Sequence, residues 1–97
     1  MKPDDVCEKF SDRGVSLRLD TRTFQPETPD EPEQSFVLIE GDAESLRFLG
    51  ELLIAQSSVS DDCHFFIHPS GPGTTFFLAD SKWGLSIHRL PCDDGPM

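Results

Sequence analysis

The sequence predicts an α+β fold, a mainly antiparallel sheet of about five strands with one long helix packed on one face and a short N-terminal helix. Residues 36–90 contain one amphipathic helical segment among several short apolar runs that read as strands. Turns rich in Gly, Pro and Asp join the last three runs, which is typical of an antiparallel meander. A length of 97 residues suits one domain, so we expect 1–97 to fold as a unit.

A short helix is expected over residues 3–12. Val6 and Phe10 lie four positions apart and therefore on one helical face. Gly14 fits the left-handed position that commonly follows a helix. The alternative makes Val6–Phe10 the first strand of a hairpin that turns near Gly14, and we prefer the helix.

The next segment combines a strand with an irregular loop. Val15, Leu17 and Leu19 alternate with polar residues, which indicates a half-buried strand. Residues 25–34 contain three prolines, four acidic residues and no large apolar residue. Such a composition cannot bury enough surface to become ordered, so we expect a flexible acidic loop inside the domain. A mobile tail is expected at 93–97.

The strongest strand, Ser35–Glu40, leads into the long helix, Ala43–Ala55, with Asp42 as its N-cap. Gly50 costs about 1 kcal/mol relative to alanine inside a helix, so we expect another element to pack closely against it. The helix presents two apolar stripes, Leu46, Leu49 and Leu53, and Phe48, Leu52 and Ala55.

Three further strands are predicted at Cys63–His68, Thr74–Ala79 and Trp83–Leu90. Apolar residues occupy successive positions in them, so the sheet would be hydrophobic on both faces. One long helix covers only one face. Because side chains alternate along a strand, Phe66 and Phe77 are expected on the face opposite the helix.

This second face is the predicted binding surface. An exposed aromatic surface with a polar rim is typical of a protein contact, and a protein partner or a second copy of the chain would cover it. In the alternative, the N-terminal helix covers this face and the chain is a plain structural domain. The predicted partner-binding residues are Phe66, Phe77, His64, His68, His88 and Arg18.

A competing function is a small metal-binding or catalytic protein that uses His64, His68, His88 and a cysteine. The spacing from His64 to His68 falls within the range of zinc ligands. However, Cys63 and His64 are adjacent and point to opposite faces of a strand, so they cannot act together as nucleophile and base. No catalytic motif or calcium-loop spacing is present. We therefore predict a non-enzymatic protein without cofactor or metal.

Charge and cysteine content define the expected partners and compartment. Eighteen acidic and eight basic residues give a net charge of −10, which opposes binding to nucleic acid and favours basic protein partners. No apolar run has the length of about 18 residues that a membrane span needs, and the acidic N-terminus does not read as a secretory leader. The three widely spaced cysteines are expected to be reduced thiols, as in a cytoplasmic protein.

The segments Leu38–Gly41, Leu46–Leu53 and Leu85–Leu90 form a strand–helix pattern followed by a closing strand with a His-Arg pair. In these features the chain resembles small immunity proteins of bacterial polymorphic toxin systems. The resemblance implies a cytoplasmic bacterial protein that binds and neutralises a cognate toxin, often a nuclease. An acidic surface would steer such a protein toward a basic toxin. No active-site residue is carried over.

Overall fold

The computed structural model describes residues 2–59 and 62–91. The chain is α+β, as expected, and the short N-terminal helix and the long central helix are both present. A short 3-10 turn, Thr74–Phe76, lies between the last two strands. In chain order the helices and strands are α1 Pro3–Phe10, β1 Arg18–Phe24, β2 Gln34–Glu40, α2 Ala43–Ser57, β3 His64–Ile67 and β4 Leu85–His88.

The prediction of one sheet of about five strands is wrong. The described residues form two separate antiparallel pairs, β1 with β2 and β3 with β4. The predicted strand at 74–79 is instead the 3-10 turn followed by a single parallel bridge between Leu17 and Phe77. Consecutive residues Phe76 and Phe77 are both buried, which a strand with only one face on the core would not achieve. The apolar run therefore reflects a buried turn and not a central strand.

The core forms around the two helices. Val6 and Phe10 of α1 are fully buried, which confirms the helix and its apolar face. The Phe10 and Phe48 ring centroids lie 5.4 Å apart, and Phe48 stacks on Phe76 at 4.5 Å. Such aromatic pairs contribute about 0.5–1.5 kcal/mol each beyond the area they bury. The N-terminal helix is thus part of the main core and packs against α2.

Helix α2 begins after Asp42, whose carboxylate accepts a hydrogen bond from the backbone N–H of Ser45 at 2.8 Å. Only part of its predicted apolar face is covered, since Leu46 and Leu53 are about half exposed. The expected close packing at Gly50 is also wrong, because a Cβ atom there would meet nothing within 4 Å. The sheet predicted to cover this face is replaced, in the described residues, by two separate strand pairs.

Residues 18–40, called the hairpin arm below, extend away from this core. The register runs from Arg18 opposite Glu40 to Phe24 opposite Gln34. Leu19 is buried, and all β1 residues after it are exposed. The arm helps to explain a radius of gyration of 15.6 Å, since a compact domain of this length has about 12.5 Å.

The cysteines differ from expectation at one position. Cys63 is disulfide-bonded, so the prediction of three reduced thiols is wrong there, whereas Cys7 is a free thiol. The predicted tail at 93–97 lies outside the described residues. Within the part of the chain that is described, no helix combines the length and the apolar character needed to cross a membrane.

Candidate functional site

The candidate site begins on the outer face of the β3–β4 hairpin. In its register, His64 lies opposite His88, and Phe66 lies opposite Ser86. These pairs share the outward face, as the alternation in the sequence predicted for Phe66 and the two histidines. The inward pairs, which pack against the core, are Phe65 with Ile87 and Ile67 with Leu85.

A groove of about 720 Å³ opens beside Phe66 at the end of this hairpin. Two large aromatic side chains are among the residues that line it, Phe66 at 48% exposure and Trp83 at 53%. We call it the Trp83 groove, and it is lined by Phe66, Ile67, His68, Lys82, Trp83, Gly84, Leu85 and Ser86. Aromatic side chains at this exposure offer an apolar surface that a protein partner can bury.

Close backbone packing holds one wall of the groove in place. A Cβ atom on Gly84 would lie 2.5 Å from the His68 ring and 2.7 Å from the carbonyl oxygen of Ile67. Only glycine therefore lets the chain pass so close to His68. The Nδ1 atom of His68 accepts a hydrogen bond from the backbone N–H of Ser70 at 2.9 Å. The ring is thereby fixed in one orientation at the groove wall.

Arg18 lies at a second cavity of about 250 Å³ that shares Lys82 and Trp83 with the Trp83 groove. Its guanidinium donates to both carboxylate oxygens of Asp80, at 3.1 and 2.8 Å, and approaches Glu40 at 3.4 Å. The hydrogen bond from Arg18 lowers the pKa of Asp80. Arg18 is thus already bonded to carboxylates and ties the base of the hairpin arm to the loop before Trp83.

Two aromatic residues lie where the sequence did not place them. Phe77 is buried at 8% exposure in the main core, so the expectation that it shares an exposed face with Phe66 is wrong. Strand alternation does not apply there, because the segment is not a strand. In the predicted strand at 83–90, Trp83 has the same parity as Leu85 and would face inward with it, yet Trp83 is exposed. Trp83 precedes the first residue of β4, so strand parity did not apply to it either. The glycine that follows Trp83 in the sequence was the available signal that the strand begins after this residue.

The geometry also bears on the metal and catalytic alternative. The His64 and His88 ring centroids lie 5.3 Å apart, whereas His68 lines the Trp83 groove. In ranges 2–59 and 62–91, no three His, Cys, Asp or Glu side chains are grouped as metal ligands. Burial, with a smaller effect from Asp4, raises the pKa of the Cys7 thiol to about 11. A thiol with that pKa is protonated at neutral pH and is a poor nucleophile.

Comparison of the chain with protein-family models, with curated proteins and with solved structures gives no match.

Proposed function

We propose that this chain is a non-enzymatic binding protein whose Trp83 groove receives an apolar side chain from a basic protein partner. The observation that carries the proposal is the pair of half-exposed aromatic side chains, Phe66 and Trp83, that line one groove. Buried aromatic residues dominate the binding energy of many protein interfaces. The resemblance noted in the sequence extends the proposal to a toxin-neutralising immunity protein.

Charge supports a basic partner. The chain carries a net charge of −10, although the cavity next to the groove is itself lined by two acidic and two basic residues, Asp20, Asp80, Arg18 and Lys82. Among the described residues that line the groove itself, Lys82 has the one formal charge at pH 7. An apolar or aromatic side chain therefore suits the groove, while the net negative charge of the chain attracts the partner over a distance.

The first step of the test is to isolate the partner from cells that naturally make this chain. The immobilised protein captures it, mass spectrometry identifies it, and calorimetry with the purified partner gives the affinity. We expect a basic partner bound with 1:1 stoichiometry, and loss of about tenfold or more in affinity for Phe66→Ala and for Trp83→Ala, as for aromatic hot spots. Added salt should weaken binding because it screens the attraction. A captured nuclease should lose activity when one equivalent of the chain is added.

The matched control is Val37→Ala, which changes an exposed apolar residue outside the groove. It should bind the partner as the unchanged protein does. Equal affinity for the unchanged protein and both groove variants would overturn the proposal, as would a partner whose binding strengthens with salt.

The proposal includes a cytoplasmic location, which the net charge of the chain and the resemblance to immunity proteins support. The bond at Cys63 is an observation that opposes it, since disulfides are rare in cytosolic proteins. Alkylation of the protein in its native cells, before and after reduction, decides the point. Full labelling of its cysteines without reductant supports the cytoplasm.

A further inference from the structure

We propose that the hairpin arm binds a second copy of this chain through strand β2, which would pair antiparallel with β2 of the copy around a two-fold axis. The product is a sheet of four strands in the order β1, β2, partner β2, partner β1. This surface is distinct from the Trp83 groove, and the inference does not depend on the proposed function.

The first argument is the open edge of β2. Strand β1 occupies one side of β2, and no other segment within the described ranges adds a strand on its other side. Folded proteins usually protect such edges with lysine, proline or a bulge. Strand β2 contains none of these, and its central residues Phe36–Ile39 are all apolar. An unprotected apolar edge of this kind is suited to strand pairing.

The second argument is the apolar surface on both sides of the arm. Phe24 and Phe36 share one side and their rings meet edge to face, with centroids 5.3 Å apart. Val37 and Ile39 lie on the other side, and Val37 is 74% exposed. A two-stranded ribbon with both sides in water is marginally stable, whereas three or more strands support one another. A second copy supplies two more strands, with matching apolar residues.

The third argument is the register, which favours a copy of this chain over an unrelated strand. With the two-fold axis at Val37, this residue faces its own counterpart, Phe36 faces Leu38, and Ser35 faces Ile39. The single charged residue of β2, Glu40, faces the neutral amide of Gln34. No two like charges meet across the new edge, and directly opposite residues share a side of the sheet.

The acidic tips of the arms also favour antiparallel pairing. The loop between β1 and β2 contains four acidic residues, Glu27, Asp30, Glu31 and Glu33. Antiparallel pairing puts the two loops at opposite ends of β2, a separation of about 20 Å or more for seven residues at the usual rise. That distance exceeds the Debye length of about 8 Å at physiological salt. Parallel pairing would bring the loops together.

Sedimentation equilibrium of the full chain tests the inference. We expect a monomer–dimer equilibrium that shifts toward the dimer when salt is added, because two bodies with a net charge of −10 repel each other. This salt effect is opposite in sign to the one expected for a basic partner. Val37→Lys should raise the dimer Kd at least about tenfold, since two lysines then face each other at the axis. Circular dichroism confirms that the variant is folded.

A charge swap checks the register. An equimolar mixture of Val37→Lys and Val37→Glu should form a heterodimer, because opposite charges then meet at the axis. The matched control is Phe66→Ala, which removes a groove residue and should leave the dimer Kd unchanged. A wild-type chain that stays monomeric up to millimolar concentration would overturn the inference. So would a Val37→Lys dimer of unchanged affinity, or a mixture that does not associate.

Discussion

The two hairpins of this protein have the same antiparallel topology and very different surroundings. The β3–β4 hairpin has strands of four residues, and one of its faces packs against the core through Phe65, Ile67, Leu85 and Ile87. The β1–β2 hairpin has strands of seven residues, and Leu19, at 4% exposure, is its one buried residue in the described structure. The longer hairpin is therefore the less supported one.

The apolar residues of the two hairpins therefore differ in whether the rest of the described chain covers them. In β3–β4, the inward residues are explained by the helices and the turn at Phe76 that they contact. In the hairpin arm, Phe24, Phe36 and Val37 have no such cover from the described chain. The dimer proposed above would cover these residues with a second copy of the chain.

The largest expected effect is a difference in stability between a substitution in the β3–β4 hairpin and one in the hairpin arm. Ile67→Ala should lower the free energy of unfolding by about 2–5 kcal/mol, because it leaves a cavity in the core, where Ile67 is 3% exposed. Val37→Ala in the arm should change the free energy of unfolding of the monomer by less than about 0.5 kcal/mol. Urea unfolding at low protein concentration measures both values. A similar loss for the two variants would mean that the arm is as well packed as β3–β4.

Much of the fold could be predicted from the local pattern. The burial of Val15, Leu17 and Leu19 follows their alternation, and both helices begin close to the expected residues. Sheet assembly could not be predicted, because strand-like composition does not say which strands pair. The run at 74–79 shows this, since it reads as a strand and forms a buried turn with a single bridge from Phe77.

Only part of the candidate site could be predicted, because alternation of side chains holds in strands and not in the segments between them. Phe66, His64 and His88 lie in true strands, where alternation holds, and they share the outward face. Phe77 and Trp83 lie outside β1–β4, in the segment between β3 and β4, which turns at Gly73 and has no regular secondary structure at 81–84. Gly73 has φ of 81° and so takes the left-handed conformation that glycine permits. Turn geometry of this kind is weakly encoded in residue type alone.

Two glycine substitutions, one beside the β3–β4 hairpin and one in α2, should have effects of intermediate size on stability. Gly84→Ala should lower the free energy of unfolding by about 1–3 kcal/mol, as overpacking does, because the new Cβ would overlap the His68 ring and the Ile67 carbonyl oxygen. Gly50→Ala in α2 is the matched control. It should stabilise the protein by up to about 1 kcal/mol, since open space surrounds that position. Destabilisation by both changes would show that α2 is closely covered at Gly50 after all.

The smallest expected effect concerns the ionic contact at the base of the hairpin arm. The hydrogen bond from Arg18 lowers the pKa of Asp80 below the ordinary value of an aspartate. A carboxylate with a lowered pKa stabilises the folded state above its unfolded pKa, and this contribution disappears as the pH falls through the folded pKa. The melting temperature should therefore fall more for the unchanged protein than for Asp80→Asn when the pH is lowered from about 5 to below about 3.

The effect is small because the Asp80 side chain is 66% exposed, and water weakens such pairs. A double-mutant cycle isolates it. In an Arg18→Gln background, Asp80→Asn should leave the acid dependence of the melting temperature unchanged, because the partner that lowers the pKa is already gone. If Asp80→Asn still flattened the acid dependence there, a group other than Arg18 would hold Asp80. The arm would then be attached at its base by more than this contact, and the contrast between the two hairpins would narrow.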